Sequence, residues 1–298
     1  MTTIEATVLV CTRDRPHLVP VAVASVLAGA GRPAEVLVVD QSREPNPTLS
    51  SDRREGVRYL HRPGSGLAVA RNIGFREAHH DVVALLDDDM TVDADWLRNL
   101  VAARTEPSGA TTGRVLAAPV QRGQHPLPDA ALITLDEPQT WRGRQRSDVL
   151  PGASVTLPRR LVLDLGGFDE RLGAGTVFGS AEDNDLGVRL LGAGVEVRHV
   201  PEAIAWHRAR DSAADDRRIR FAYGTGKGAL HAKHVRDREM IVRLLRDAAR
   251  RSARIARHLW RQPELARSEA VYLTGFATGF VRWWAGGWWR RPTGQSPD

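Results

Sequence analysis

Val82-Val-Ala-Leu-Leu-Asp-Asp-Asp89 is the stretch on which the reading of this chain turns. Five apolar residues in a row, two of them β-branched, fit a strand buried on both faces. The run ends on three carboxylates. Adjacent acids repel one another unless a cation sits among them, and oxygen-rich sites of this kind suit Mg²⁺ or Mn²⁺. The ordinary alternative is a solvated acidic turn, and position in the fold decides between the two.

Upstream, Thr7-Val-Leu-Val-Cys11, Glu35-Val-Leu-Val-Val39 and Val57-Arg-Tyr-Leu60 are three further short runs of strand character. Helical patterns separate and follow them: Leu18, Val21, Ala22, Ser25 and Val26, then residues 67–79, then 93–104. Strands alternating with helices predict βαβ units in a doubly wound, mainly parallel α/β sheet. Ligands of such sheets lie beyond the carboxyl ends of the strands. Thr12-Arg13-Asp14, Asp40 and Asp87-Asp88-Asp89 all fall there, which favours a functional acidic cluster. Residues 106–150 are rich in Pro, Gly and Arg and weakly periodic. Beyond them, helices are expected at 158–165 and about 182–191, and a strand at 195–200.

With 298 residues, 42% hydrophobic and 26% charged, the chain allows one large domain or two modest ones, and collagen-like or disordered classes are excluded. The single cysteine, Cys11, excludes a disulfide scaffold and reads as inert core. The first residues lack the pattern of a secretory signal, so a cytoplasmic protein is expected. Charge is uneven: residues 1–204 sum to −5 and residues 205–298 to +11. An acidic body with a basic tail suggests a tail that meets something anionic. Within it, Ile241, Leu245, Ala248, Ile255 and Leu259 share one helical face. Arg243, Arg246, Arg250, Arg254, Arg257 and Arg261 follow another. Residues 271–289 hold Phe276, Phe280, Trp283, Trp284, Trp288 and Trp289 but are broken by Arg282 and four glycines. That pattern suits an interfacial segment better than a membrane span.

Three further groups have both a functional and a bland reading. Glu182-Asp183-Asn184-Asp185 opens a helix, where the macrodipole alone favours carboxylates. Arg71-Asn72, after Gly64-Ser-Gly66, stand where a helix start can hold phosphate or where the chain merely turns. His207 alone is an ordinary histidine, although an imidazole can complete a shell of carboxylates and phosphates.

Seven motifs occur in order: Val8-Leu-Val-Cys-Thr-Arg-Asp-Arg-Pro16, Val38-Val-Asp-Gln-Ser42, Gly66-Leu-Ala-Val-Ala-Arg-Asn-Ile-Gly74, Leu85-Leu-Asp-Asp-Asp89, Gly166-Gly-Phe-Asp-Glu170, Glu182-Asp-Asn-Asp-Leu186 and Val200-Pro-Glu-Ala-Ile-Ala-Trp-His207. Together they resemble the family 2 glycosyltransferases of the GT-A fold, of the inverting bacterial polysaccharide or glycoconjugate type, across residues 5–207. The resemblance implies that Asp40 reads the donor base and that Thr12 and Arg13 line the same pocket. It places Arg71 near the donor and Asp88 near the ribose. Asp87, Asp89 and His207 become the metal-binding residues for Mn²⁺ or Mg²⁺, and Asp183 the catalytic base. Gln41 departs from the family pattern, where a second Asp is frequent.

The implied partners are a nucleotide-diphosphate sugar and a glycan or lipid-linked acceptor, with no nucleic acid. Residues 1–105 would form the nucleotide-sugar half, 106–207 the acceptor half, and 208–298 a basic helical extension. Trp141 and Glu182 are the acceptor-side candidates. Arg142, Arg144 and Arg146 flank Trp141, since aromatic faces pack on sugar rings and arginines pair with phosphates. The tail is expected to touch an anionic membrane, at the inner face of the plasma membrane, or else to pack on the body. Two rivals are a sugar nucleotidyltransferase, which would want a lysine-containing activation loop after the first strand, and a non-enzymatic module binding membrane or nucleic acid through the arginine-rich tail.

Overall fold

A computed structural model describes residues 2–52, 54–105, 108–127, 131–145, 148–209 and 216–290. The chain runs β1 (Thr2–Thr12), α1 (Val19–Leu27), β2 (Gly31–Asp40), α2 (Pro47–Ser50), β3 (Val57–His61), α3 (Leu67–Glu77), β4 (Val82–Asp87), β5 (Met90–Val92) and α4 (Trp96–Ala102). It continues with β6 (Ala110–Ala117), β7 (Gln139–Trp141), β8 (Val155–Pro158), α5 (Arg159–Asp164), α6 (Glu182–Gly192) and β9 (Val197–His207). Three long helices follow: α7 (Asp216–Lys233), α8 (Arg238–His258) and α9 (Pro263–Ala285).

The strands form one sheet in the order β3-β2-β1-β4-β8-β6-β9-β5, with β7 also on β9. β1 to β4 pair in parallel, as do β6 and β9, while β8, β5 and β7 pair antiparallel. The doubly wound, mainly parallel α/β sheet expected from the strand–helix alternation is therefore the fold. Val8 and Val10 point to one side of it and Leu9 to the other, as the two-residue period of a strand demands. Leu9, Leu37, Phe75, Phe168 and Leu186 pack on one face, and Val10, Val38, Leu86, Trp96 and Leu100 on the other. Gly74 lets α3 lie flat on the sheet, since a Cβ there would sit 2.3 Å from the Leu9 side chain.

The weakly periodic insert supplies β6 and β7, and β8 follows it; the sequence pattern hid all three. Central strands normally advertise themselves by apolar runs, but here buried threonines take interior positions. The Thr111 and Thr156 hydroxyls meet at 2.6 Å across β6 and β8, and Thr112 Oγ1 lies 3.1 Å from His199 Nδ1. Each polar group is paired, so its burial costs little.

The tail packs on the body. α7 and α9 cross with glycines on both sides: a Cβ on Gly228 would lie 2.0 Å from the Phe276 carbonyl, and one on Gly279 2.0 Å from that of Thr225. Of the glycines that interrupt the 271–289 apolar run, Gly275 and Gly279 are thus its contact surface with α7. Trp283 is buried against Phe178 at 5.6 Å between centroids, beneath the Arg171 guanidinium. That part of the segment faces protein rather than an interface, which corrects the interfacial reading for Trp283; Trp284 and Trp289 stay exposed. α8 differs, leaving Ile241, Leu245 and, just past its end, Leu259 and Trp260 in solvent. No described helix is long and apolar enough to cross a membrane.

Candidate active site

In β1 and β4, neighbours in the sheet, Cys11 stands opposite Asp87. Their carboxyl ends bring Thr12 beside Asp88, and the Thr12 hydroxyl donates to Asp88 Oδ2 at 2.6 Å. Arg15 donates from Nη1 to Asp88 Oδ1 at 2.9 Å and to Asp89 Oδ2 at 3.0 Å. Sequence reasoning passed over Arg15, although it stands within the Thr12-to-Pro16 run. A cavity of about 310 Å³ opens here, lined by Thr12, Arg13, Arg15, Gln41, the three acids and His207. No lysine lines it among the described residues, so a nucleotidyltransferase activation loop has no counterpart. Burial pushes the Asp87 carboxyl up, with Arg71 opposing and Asp89 adding. Burial raises Asp88 too, against the pull of Arg15 and Thr12. The Cys11 thiol is pushed up to about 12 by burial and stays protonated.

His207 ends β9 opposite Met90, and its Nε2 lies 3.9 Å from Asp89 Oδ1. Two carboxylates and an imidazole on one cavity wall form a donor set that fits Mn²⁺ or Mg²⁺. Among the described residues no three such side chains already converge at coordinating distances.

Two donor-side candidates stand behind the wall. Asp40 is buried and does not line the cavity: its Oδ1 accepts from the Ser42 amide at 2.8 Å and its Oδ2 from the Tyr59 hydroxyl at 2.6 Å. Gln41, the departure from the family pattern, is the residue that reaches the cavity. Arg71 is also buried. It donates to Glu182 Oε1 at 2.9 Å, to the Gly152 carbonyl at 2.6 Å and to Asp87 Oδ1 at 3.3 Å. It ties β4 to α6 as an internal cation. Its neighbour Asn72 accepts from the Phe168 amide at 2.7 Å and donates to Glu170 at 2.9 Å, which anchors the Gly166–Glu170 motif.

A second cleft, about 640 Å³, adjoins the first through Leu67, Asp87, Ala174 and His207. Asp183 lines it, half-buried in the first turn of α6. Ala181, before that turn, holds a left-handed φ of 76°, a strain of about 1–2 kcal/mol for a residue with a Cβ. The helix start was expected to keep Asp183 ionised. Instead burial, reinforced by the adjacent Glu182 charge, lifts its carboxyl to about 7, and Lys227 and Arg71 only partly oppose it. Desolvation outweighs the macrodipole at this site. Glu182 itself is buried on Arg71.

Trp141 reaches the cleft from β7, tilted against His199 at 6.3 Å. Neither Arg142 nor Arg144 lines the cleft: Arg142 pairs with Glu196 and Arg144 with Asp237. Arg146 lies outside the described residues. The tail adds to the wall Arg220, Tyr223 and Lys227 from α7, Arg251 from α8 and Tyr272 from α9. Helical periodicity carried no sign of this, since a residue facing a distant cleft looks like any surface arginine.

A sequence profile described as Glycosyl transferase family 2 matches residues 7–155. The pre-mycofactocin glycosyltransferase of Mycobacterium tuberculosis is 31% identical over 189 residues, 60% of this chain and 38% of that protein. The succinoglycan biosynthesis protein ExoM of Rhizobium meliloti is 34% identical over 116 residues, 36% of this chain and 38% of that protein. The chain therefore spans under two-fifths of the length of these relatives. Among solved structures, the mannosyltransferase PcManGT of Pyrobaculum calidifontis, in complex with GDP-Man and Mn²⁺, aligns with a TM-score of 0.61 at 16% identity, over 93% of this chain and 87% of that one. At such identity the likeness speaks to the fold, which is of the GT-A type.

Proposed function

This chain belongs to glycosyl transferase family 2, and from that premise we propose that it moves a sugar from a nucleotide-diphosphate donor to an acceptor hydroxyl with inversion. The observation that carries this reading is the placement of Asp183. It lines a cleft that meets the strand-end cavity at Asp87 and His207, and burial lifts its carboxyl to about 7. A base is most effective when its pKa lies near working pH, and such a group contributes about 10²–10⁴-fold.

In this reading the donor lies in the strand-end cavity. Thr12, Arg13 and Gln41 line the base and ribose side, with Asp40 bracing the loop after β2 through Ser42 and Tyr59. Asp88, oriented by Thr12 and Arg15, faces the ribose. Asp87, Asp89 and His207 would hold Mn²⁺ or Mg²⁺, which when bound neutralises charge on the departing diphosphate. Arg71 keeps Asp87 and Glu182 in register, so the donor and acceptor sides share one internal cation. Asp183 takes the proton of the acceptor hydroxyl as that oxygen attacks the anomeric carbon. A single in-line displacement, with base and leaving group on opposite faces, gives inversion.

The acceptor is a glycan or lipid-linked saccharide, with Trp141 packing on a sugar face, in cell-surface polysaccharide or glycolipid synthesis. Residues 1–105 form the donor half, 106–207 the acceptor half, and the 208–298 extension completes the cleft. The exposed apolar stripe of α8 beside its arginines supports a peripheral seat on an anionic leaflet at the inner face of the plasma membrane.

The test is to incubate the full chain with a panel of nucleotide sugars and Mn²⁺ and to follow nucleoside diphosphate release. Asp183→Asn should bind nucleoside diphosphate as the parent does and release almost none. Pyrophosphate as the product, near-normal turnover in that variant, or activity that survives thorough chelation would each count against the reading.

A further inference from the structure

Guanidinium and ammonium groups outnumber carboxylates where the tail closes the cleft. Glu269, buried on α9, accepts from three arginines at once: Arg220 at 3.2 Å, Arg251 at 2.5 Å and Arg254 at 2.9 Å. Asp148 is shared by Lys227 at 2.6 Å and Arg243 at 2.5 Å, with Asp247 a further 3.7 Å from Arg243. Both shared carboxylates are held below their ordinary range because these cations overcome the effect of burial. Among the described residues five cations thus share these three carboxylates, with Asp183 a fourth beside Lys227; of the five, Arg220, Lys227 and Arg251 line the cleft. The Arg220 side chain lines the cleft, and its Nε–H is buried without a partner. Arg251 lies over the Tyr272 ring at 3.6 Å and Arg220 over the same ring at 5.5 Å, so an aromatic floor limits the motion of both.

Fastening three helices together needs no such surplus, because one carboxylate pairs well with one guanidinium. Unmatched positive charge half out of water is costly unless an anion joins it. We propose that the end of the cleft built by α7, α8 and α9 selects an anionic acceptor, one whose phosphate ester or carboxylate docks on Arg220 and Arg251 above Tyr272. This inference rests on the reading of the Asp183 cleft as the acceptor site. An arriving anion takes up the surplus charge, whereas a neutral sugar does not. Lys227 bonds both Asp148 and Asn184, the residue next to Asp183. It therefore links this cationic end to the base.

The test is an NMR or calorimetric titration of the full chain with glucose 6-phosphate, glucuronate and neutral methyl glucoside. Nucleoside diphosphate binding is measured in parallel. The proposal expects at least one anion to bind more tightly than the glucoside, and which of the two does so identifies the group. Arg251→Gln and Arg220→Gln should each weaken that anion by about tenfold, the loss of one charge-assisted hydrogen bond. Asp89→Asn should leave it unchanged. Arg251→Lys, which keeps the charge, should lose less than Arg251→Gln, and unaltered nucleoside diphosphate binding in each variant certifies the fold. Anions binding no better than the glucoside, or indifferent to both glutamine variants, overturn the proposal. Anion binding lost with Asp89→Asn would instead place the anion in the donor cavity and overturn it too. Failure of nucleoside diphosphate to bind the parent chain strikes the glycosyl-transfer reading itself, independently of these outcomes.

Discussion

The polar wall of the strand-end cavity comes mostly from residues within a few positions of a strand terminus: Thr12 and Arg15 at and after β1, Gln41 after β2, Asp87 to Asp89 at β4, His207 at the end of β9. The adjoining cleft draws Trp141 from the insert, Asp183 from α6, and Arg220, Lys227, Arg251 and Tyr272 from three tail helices. The first follows from sheet topology, which delivers strand ends to one edge whatever else the chain does. The second exists only when helices distant in sequence dock. Variants should therefore separate the two, disturbing the cleft while leaving the cavity able to bind nucleotide.

The largest separation is expected from Asp183→Asn. Turnover should fall by about 10²–10⁴-fold with nucleoside diphosphate affinity intact, measured by product release beside calorimetry. Next comes the α7–α9 crossing. Gly228→Val sets a side chain against the Phe276 carbonyl, an overpacking that costs about 1–3 kcal/mol. Denaturant midpoints should drop and transfer should fail, while the nucleotide still binds. Loss of nucleotide binding in that variant would break the comparison, since it would show the cavity leaning on the tail.

These two variants touch opposite ends of what was legible in advance. The βαβ half announced itself because β1, β2 and β4 are buried on both faces and spell continuous apolar runs. The acids at the end of β4 drew notice because that edge is where such sheets bind ligands, and the structure sets them on a cavity wall there. β6 and β8 stayed hidden because threonines in mutual hydrogen bonds fill interior positions. Arg71 looked like a donor contact because a helix start beside a glycine turn suits phosphate. Its commitment to Asp87 and Glu182 needs α6 to fold back from residue 182, and a spacing rule does not see that. For Asp183 the expected ionised carboxylate gives way to one lifted to about 7, because desolvation is a property of the assembled cleft.

That charge state gives two finer tests. With the carboxyl raised to about 7 by burial, Asp183 is mostly protonated below that pH. Activity should climb with pH up to about 7 and level off above it, in a pH profile of turnover. A plateau extending to pH 5 would show that the group ionises at its ordinary value. Glu182→Gln removes the neighbouring negative charge and frees Arg71, and both changes favour the ionised form. The midpoint should therefore move to lower pH, the smallest shift foreseen and the most specific to this pair.

The crossing of α7 and α9 has a mechanical consequence. Where glycine meets backbone there is no side chain to flex or repack, so the two helices form a stiff beam rather than a cushion. One stretch of that beam carries Arg220 and Lys227, and the far end of its second member carries Trp284, which looks outward. Whatever presses on the outward end is felt at the cleft as a rigid tilt. In the proposed reading, the seat on a surface and the grip on an acceptor are then two ends of a single lever.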